Sequence, residues 1–164
     1  MEITSKSTVF TIAQYGNYET FLEKFSIQDI NQKSKYGSSL LHGAIAGKNF
    51  DIALFLIKSG IDVNMVNSDG QTALHHICVY PNINVAKEIL KSGGDVSIKD
   101  KYGNIPLWIA VFNAEQDSDG RYELIDLLMK NGSDPNSKNN VGKTPLDIAA
   151  RKSEKLQNML KKTI

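Results

Sequence analysis

The chain is poor in the features that mark several classes of protein. Cys78 is the one cysteine among its 164 residues, so no internal disulfide can form, and we expect a cytoplasmic protein in a reducing compartment. No basic segment followed by an apolar one opens the sequence, and the longest apolar runs, such as residues 52–57, are too short to cross a bilayer. The formal net charge of +1 predicts no general affinity for nucleic acid or for an anionic membrane.

The composition nevertheless provides enough apolar material for a folded core. Hydrophobic residues make up 41% of the chain and charged residues 23%, which is typical of a globular protein and not of a disordered one. A length of 164 residues suits one structural unit. We therefore expect a single domain over residues 1–164.

Internal repetition organises this domain. One glycine recurs at intervals of 33, 33 and 39 residues, at Gly37, Gly70, Gly103 and Gly142. A leucine stands four residues after each of these glycines. A second glycine recurs at positions 60, 93 and 132, and an aspartate stands two positions after it each time. Residues that recur with the same spacing at both the start and the end of a unit predict a stack of similar supersecondary units.

The units resemble the ankyrin repeat. A turn glycine and a Thr-Pro-Leu-His-like helix start occur at residues 36–42, 69–75, 102–108 and 141–147, and residues 60–64 match the Gly-x-Asp-Val-Asn close of that family. The departures from the family pattern are Leu40 and Ala73 in place of proline, Ile105 in place of threonine, Trp108 and Asp147 in place of histidine, and Ser97 in place of asparagine. The resemblance implies an all-α ankyrin-repeat solenoid of helix-turn-helix units joined by β-turn loops.

Five units account for nearly the whole chain. They are an N-terminal capping repeat at 7–33, internal repeats at 34–66, 67–99 and 100–138, and a C-terminal capping repeat at 139–164. The third internal repeat carries six extra residues within 113–119. A solvated loop and a partner-contacting finger both remain open for this insertion. A calcium loop is disfavoured, because the distal glutamate is missing after Asp117, Asp119 and Gly120.

Local signals agree with this reading of each unit. The recurring turn glycines occupy positions that require a positive φ. Thr72 and Thr144 can cap the helices that follow them, and Pro106 and Pro145 suit a first helical turn, where no amide donor is needed. Apolar residues at helical spacing then predict a second helix in each internal unit.

Candidate chemical groups favour structural roles. Resemblance to the family implies that His42 and His75 hydrogen-bond to the adjacent turn. A zinc site at His75, His76 and Cys78 is disfavoured, because the two histidines point about 100° apart on a helix and no second ligand pair follows. The small-residue position of Cys78 indicates a buried, inert thiol. We expect no catalytic residue, metal or cofactor, and no enzymatic activity.

The remaining functional surface is the one that the family uses to bind proteins. The resemblance places partner contacts on the turn tips and on the exposed sides of the first helices, which together form a concave face. Aromatic residues recur there, as expected of interface hot spots. The candidate partner-binding residues are Tyr15, Tyr36, Asp69, Gln71, Tyr80, Tyr102, Asn104, Trp108, Phe112, Asn113, Glu115, Asp117, Asp119 and Lys143.

We therefore expect a protein-protein interaction module, monomeric when free, that binds neither nucleic acid nor membrane. The sharper hypothesis is a stoichiometric inhibitor that masks its partner, resembling the bacterial ankyrin-type immunity proteins that neutralise a cognate toxin. The chain has 17 lysines and 2 arginines, a bias found in AT-rich bacterial genomes. The alternative is a scaffold or adaptor, or a host-directed effector that binds cellular proteins.

Overall fold

The protein is built from paired helices. A computed structural model describes residues 5–114 and 120–161, with side chains from residue 9 onward. The α-helices in this part of the chain are α1 (Ser5–Tyr15), α2 (Tyr18–Lys24), α3 (Leu40–Ala46), α4 (Phe50–Lys58), α5 (Ala73–Val79), α6 (Ile83–Lys91), α7 (Pro106–Asn113), α8 (Arg121–Lys130), α9 (Pro145–Lys152) and α10 (Glu154–Lys161). One 3-10 turn spans Ile27–Asp29, and an isolated bridge joins Lys33 to Ser39. The predicted all-α class is confirmed.

The helices stack in two layers. Each odd-numbered helix packs against the next odd-numbered one, from α1 to α9, and we call these helices with the turns that precede them the first-helix layer. The even-numbered helices pack in the same way, from α2 to α10, and form the second-helix layer. None of the helices in residues 5–114 and 120–161 combines the length and apolar character needed to cross a bilayer.

Each turn before a first helix is closed by the same set of hydrogen bonds. In the second internal repeat the Gly70 N–H donates to the Asn67 carbonyl at 2.9 Å, and the Asn67 N–H donates to the Gln71 carbonyl at 3.0 Å. The Asn67 side-chain oxygen also accepts from the N–H groups of Asp69 and Gln71. The corresponding side chains in the other turns are Ser34, Asp100 and Asn139. Sequence analysis missed this column of turn-closing side chains.

Main-chain hydrogen bonds join successive turns. The N–H groups of Ser68, Lys101 and Asn140 donate to the carbonyl oxygens of Tyr36, Asp69 and Tyr102, at 3.0, 2.8 and 2.9 Å. Gly103 shows how closely the turns approach, because a Cβ atom at this position would lie 2.4 Å from Asn140 Oδ1. Its φ of +78° also matches the left-handed conformation predicted for the turn glycines. These hydrogen bonds join the turn tips into a row with fixed spacing, which we call the turn ladder.

Capping residues fix where the first helices begin. Ser39 and Thr72 form capping boxes with His42 and His75, in which the imidazole Nδ1 accepts the N–H of the capping residue. Thr144 forms a capping box with Asp147, and Pro145 occupies the first turn as predicted. α7 also begins with the predicted proline, but Ile105 has no hydroxyl group and provides no side-chain cap.

The core lies between the two layers and runs through the stack. The leucine column is fully buried at Leu41, Leu74 and Leu107, and only half-buried at Leu146 in the last repeat. α10 covers this end with Leu156 and Leu160, both buried. The other side of α10 carries exposed polar residues, among them Glu154, Lys155 and Asn158.

Two boundaries differ from the sequence prediction. α1 begins at Ser5, two residues before the predicted start of the N-terminal repeat. α7 ends at Asn113, whereas the repeat spacing, which resumes at Gly120, predicts a first helix that ends near that glycine. Asn113 folds its amide back onto the Ile109 carbonyl at 3.0 Å, and Ala114 takes an extended conformation that ends the helix. The insertion therefore does not extend the helix beyond Asn113 in the described residues.

Candidate functional site

A groove of about 660 Å³ opens at the N-terminal end of the first-helix layer. One wall is the side of α1 that carries Phe10 and Tyr15, and the other wall is the first turn, residues 33–38. Gly43 and Ala46 of α3 form the floor, and the wall beyond them includes His76 of α5. The volume falls within the range of binding pockets in proteins.

Small residues create this groove. Gly43 and Ala46 place almost no side-chain volume on the exposed side of α3, and a Cβ atom at Gly43 would already lie 3.2 Å from the Phe10 ring. At Gly47 a Cβ atom would lie 1.7 Å from the Gln14 carbonyl oxygen, so only glycine lets α1 approach α3 here. The Asn49 side-chain amide stabilises the contact between α1 and α3 by donating to the carbonyl oxygens of Ala13 and Gln14.

Two histidines beside the groove are neutral. Burial lowers the pKa of His42 from 6.5 to about 4 and the pKa of His76 to about 3. Their rings meet edge to face, with centroids 4.8 Å apart. His42 Nδ1 accepts from Ser39, so the neutral ring donates its Nε2–H to the Gln71 carbonyl of the next turn at 2.8 Å.

The second histidine bridge repeats this arrangement. His75 Nε2 lies 3.1 Å from the Asn104 carbonyl of the following turn, and burial lowers the pKa of the ring. The family-implied role of His42 and His75 in bonding to the adjacent turn is therefore confirmed. Trp108 occupies the same position in the next repeat, and its buried indole N–H has no hydrogen-bond partner among the described residues.

Exposed aromatic rings mark the first-helix layer. Tyr15 and Tyr36 are 76% and 63% exposed, and Tyr102 and Phe112 are each more than half exposed. Lys35 Nζ lies 4.8 Å from the centre of the Tyr36 ring, and Lys101 Nζ lies 4.9 Å from that of Tyr102. These two lysine-tyrosine pairs lie two repeats apart on the turn ladder. In each pair one face of the ring contacts the lysine, and more than half of the tyrosine is exposed to solvent.

A second aromatic patch lies on α7. The rings of Trp108 and Phe112 stack with centroids 5.0 Å apart and an interplanar angle of 13°. Lys152 Nζ lies 5.8 Å from the centre of the Phe112 ring. Tyr80, at the end of α5, is half-buried and packs against the core, so it presents less surface than the sequence suggested.

The other predicted contact residues have varied environments. Lys143 is exposed at the fourth turn, and Gln71 is half-buried at the second. Asp69 pairs with Lys101 at 2.8 Å. Glu115, Asp117 and Asp119 lie outside the described residues.

Asn104 requires a correction, because it lies beneath the surface. It is 7% exposed, and its side-chain oxygen accepts from the Asn139 amide at 2.9 Å. Its main-chain N–H donates to Asp100 Oδ1, and its carbonyl oxygen faces His75. Asn104 thus joins neighbouring turns, and its side chain is not available to a partner.

Sequence analysis missed several residues of the groove. Phe10, Lys33 and His76 were not among the candidates, although each lines it. The available signal was the pair of small residues Gly43 and Ala46, which stand where α7 carries large side chains. The groove that these small residues create could not be predicted without knowing where α1 packs against α3.

The thiol of Cys78 is not accessible to solvent in the folded chain. Cys78 is completely buried, as predicted, and burial raises the pKa of its thiol. The described residues contain no group of three or more His, Cys, Asp or Glu side chains placed to hold a metal ion.

Stacked helix pairs, a turn ladder and a continuous core define a helical repeat protein. A family model described as "Ankyrin repeats (3 copies)" matches residues 62–139, and a second, "Ankyrin repeats (many copies)", matches residues 22–77. Together the two matches span residues 22–139, and the chain belongs to the ankyrin repeat family. No curated protein matches the sequence. Ankyrin repeats are protein-protein interaction modules.

Proposed function

We propose that this protein binds one partner protein through the first-helix layer and acts by occupying the partner's surface. The observation that carries the proposal is the distribution of aromatic rings. The four that are more than half exposed, Tyr15, Tyr36, Tyr102 and Phe112, all lie in that layer. Aromatic side chains provide large contact areas at low entropic cost, and they are enriched in interface hot spots.

The sharper form of the proposal is a stoichiometric inhibitor, such as a protein that neutralises a toxin. The turn ladder and the histidine bridges hold the aromatic rings on a preformed surface. A preformed surface loses little conformational entropy on binding, which favours one tight complex over several weak ones.

The first experiment identifies the partner. The tagged protein is purified from its native cell, and the proteins that elute with it are measured by mass spectrometry and for stoichiometry. One equimolar partner whose toxic or enzymatic activity is abolished in the complex supports the inhibitor. Several substoichiometric partners indicate an adaptor, and binding only from another cell's lysate indicates a host-directed effector.

A pair of variants tests the surface. Tyr15→Ala with Tyr36→Ala removes two exposed rings at the groove, and we expect at least ~10-fold weaker binding of the purified partner by calorimetry. The control is Leu22→Ala with Ile27→Ala, which removes exposed apolar side chains outside the first-helix layer. Equal loss of affinity in both variants, with unchanged circular dichroism, would show that the first-helix layer is not the binding surface.

A further inference from the structure

Charged side chains are divided unequally between the two layers. The described parts of the first-helix layer, residues 9–15, 33–48, 66–80, 99–113 and 138–152, contain nine Lys or Arg and three Asp. The remaining described segments, residues 16–32, 49–65, 81–98, 120–137 and 153–161, contain eight Lys or Arg and eleven Asp or Glu. Although the formal net charge of the chain is +1, the first-helix layer is therefore basic and the remaining segments are acidic.

The three acids of the basic layer are already engaged. Asp69 accepts from Lys101 Nζ, Asp100 accepts the N–H groups of Tyr102 and Asn104, and Asp147 caps α9. The Asp147 carboxylate is stabilised by the Thr144 main-chain N–H, which lowers its pKa. Nine positive and three negative side chains nevertheless leave the described parts of this layer with a formal charge of +6.

In the groove, positive charge meets no acidic side chain among the lining residues. Lys33 and Lys35 stand on its turn wall, and no Asp or Glu is among the residues that line it. Neither lysine forms an ion pair within residues 5–114 and 120–161. Lys33 is close enough to His42 to contribute to the lowered pKa of that histidine.

The opposite wall, on α1, carries the rings of Phe10 and Tyr15 together with the polar side chains of Thr11 and Gln14. Phe10 packs against the core and Tyr15 is largely exposed, while Gly43 and Ala46 leave room between them and the turn. A ligand in this groove would contact rings on one side and ammonium groups on the other. A side chain of apolar character next to a carboxylate has the matching chemistry.

We propose that the groove binds an acidic segment of the partner protein, with an apolar side chain inserted between α1 and the first turn and carboxylates facing Lys33 and Lys35. This proposal rests on the proposed function and names the chemistry of the partner. Charge complementarity at such a site raises the association rate and excludes basic competitors.

The structure favours a protein segment over a nucleic acid. A phosphate backbone that follows the turn ladder would pass Asp69, which lies between the cationic first and third turns. Lys101 is also held by this aspartate at 2.8 Å, so the cationic row is interrupted at its centre. A protein segment can place carboxylates at the groove alone, whereas a polyphosphate carries charge at every step.

The test uses the full chain and a defined probe. The probe is a fluorescein-labelled peptide of about 12 residues with glutamate and phenylalanine in alternation, followed by anisotropy at about 0.1 M salt. The charge-reversal variant is Lys33→Glu with Lys35→Glu. Its matched control is Lys58→Glu with Lys91→Glu, which reverses two exposed lysines at the ends of α4 and α6.

We expect saturable binding that weakens at least ~10-fold in the groove variant and stays unchanged in the control. A peptide with glutamine in place of glutamate should bind ~10-fold more weakly. Equal weakening in both variants, no saturable binding below about 1 mM, or equal affinity for single-stranded DNA of similar charge would each overturn the proposal. If the peptide fails while Tyr15→Ala with Tyr36→Ala still releases the purified partner, the proposed function stands and only the acidic-segment proposal fails.

Discussion

The buried histidines show how single residues join neighbouring repeats. The imidazoles of His42 and His75 each accept a hydrogen bond from their own helix cap and donate one to the next turn, which uses both ring nitrogens of the neutral form. A protonated ring could not accept the N–H of Ser39 or Thr72. The same contacts that hold the turns in register therefore require deprotonated histidine.

Acidification should destabilise the fold, because burial disfavours the protonated form of the histidine rings. The folded-state pKa values of His42 and His76, about 4 and about 3, lie below the ordinary 6.5, so the unfolded chain binds more protons between these limits. Stability is then complete above about pH 6.5 and falls as the pH approaches 4. We expect the free energy of unfolding, measured by urea denaturation, to be lower at pH 5 than at pH 7.5 by ~1–2 kcal/mol per histidine, with a correspondingly lower urea midpoint.

The variant His76→Gln separates this effect from general acid sensitivity. It removes one titrating ring from the side of the groove, so the difference between the two midpoints should become smaller. Hydrogen bonds from Ser97 and Thr144 hold the pKa values of Asp95 and Asp147 below their ordinary range, so their contributions are lost at lower pH than the histidine effect. An identical pH dependence in the variant and the wild type would contradict the assignment.

At the scale of elements, the turns and the cross-repeat contacts set the spacing of the stack. Arg121 illustrates a long-range contact, because its guanidinium donates to the carbonyl oxygens of Cys78 and Val79 at the end of α5. α8 is thereby attached to the preceding repeat immediately after the insertion. The insertion therefore leaves the register of the second-helix layer intact.

The turn ladder can be tested at one glycine column. Gly103→Ala and Gly142→Ala both place a side chain at a positive φ, +78° and +74°, and each should lose ~1 kcal/mol of stability from that strain. Only Gly103→Ala also brings a Cβ atom within 2.8 Å of the Asn140 N and closer still to its side chain. We expect the larger loss for Gly103→Ala in urea unfolding, and equal losses would argue against tight turn-to-turn packing.

The whole molecule behaves as a one-dimensional array whose ends need covering. In residues 5–114 and 120–161 the extensive contacts of each helix pair are with its neighbours along the chain, so the stability of a terminal repeat depends mainly on one interface. α10 packs on α8 and α9 through Leu156 and Leu160. Loss of this cover should affect the C-terminal end before it affects the centre.

Leu156→Ala with Leu160→Ala tests this local character. Removing two buried side chains should cost ~2–5 kcal/mol each within the last repeat. We expect hydrogen exchange to accelerate in α9 and α10 while the amides of α3 and α5 keep their protection. The exposed Asn158→Ala on the same helix serves as the control, and a uniform loss of protection along the chain would contradict an array-like response.

Short-range features of this protein follow from the order of its residues. The glycine columns, the Thr72 and Thr144 caps, the prolines of α7 and α9 and the amphipathic second helices all depend on interactions within a few positions along the chain. Such interactions have the same geometry wherever the pattern occurs. Fold class and unit spacing could therefore be predicted before any coordinates were known.

The binding surface depends instead on contacts between distant segments. Phe10 and the first turn become opposite walls because Gly47 lets α1 approach α3, and Asn104 is buried because neighbouring turns close over it. The separation of basic from acidic residues likewise appears only when the helices are assigned to layers. These properties depend on distances between segments 20 to 40 positions apart, which packing sets and the local pattern does not contain.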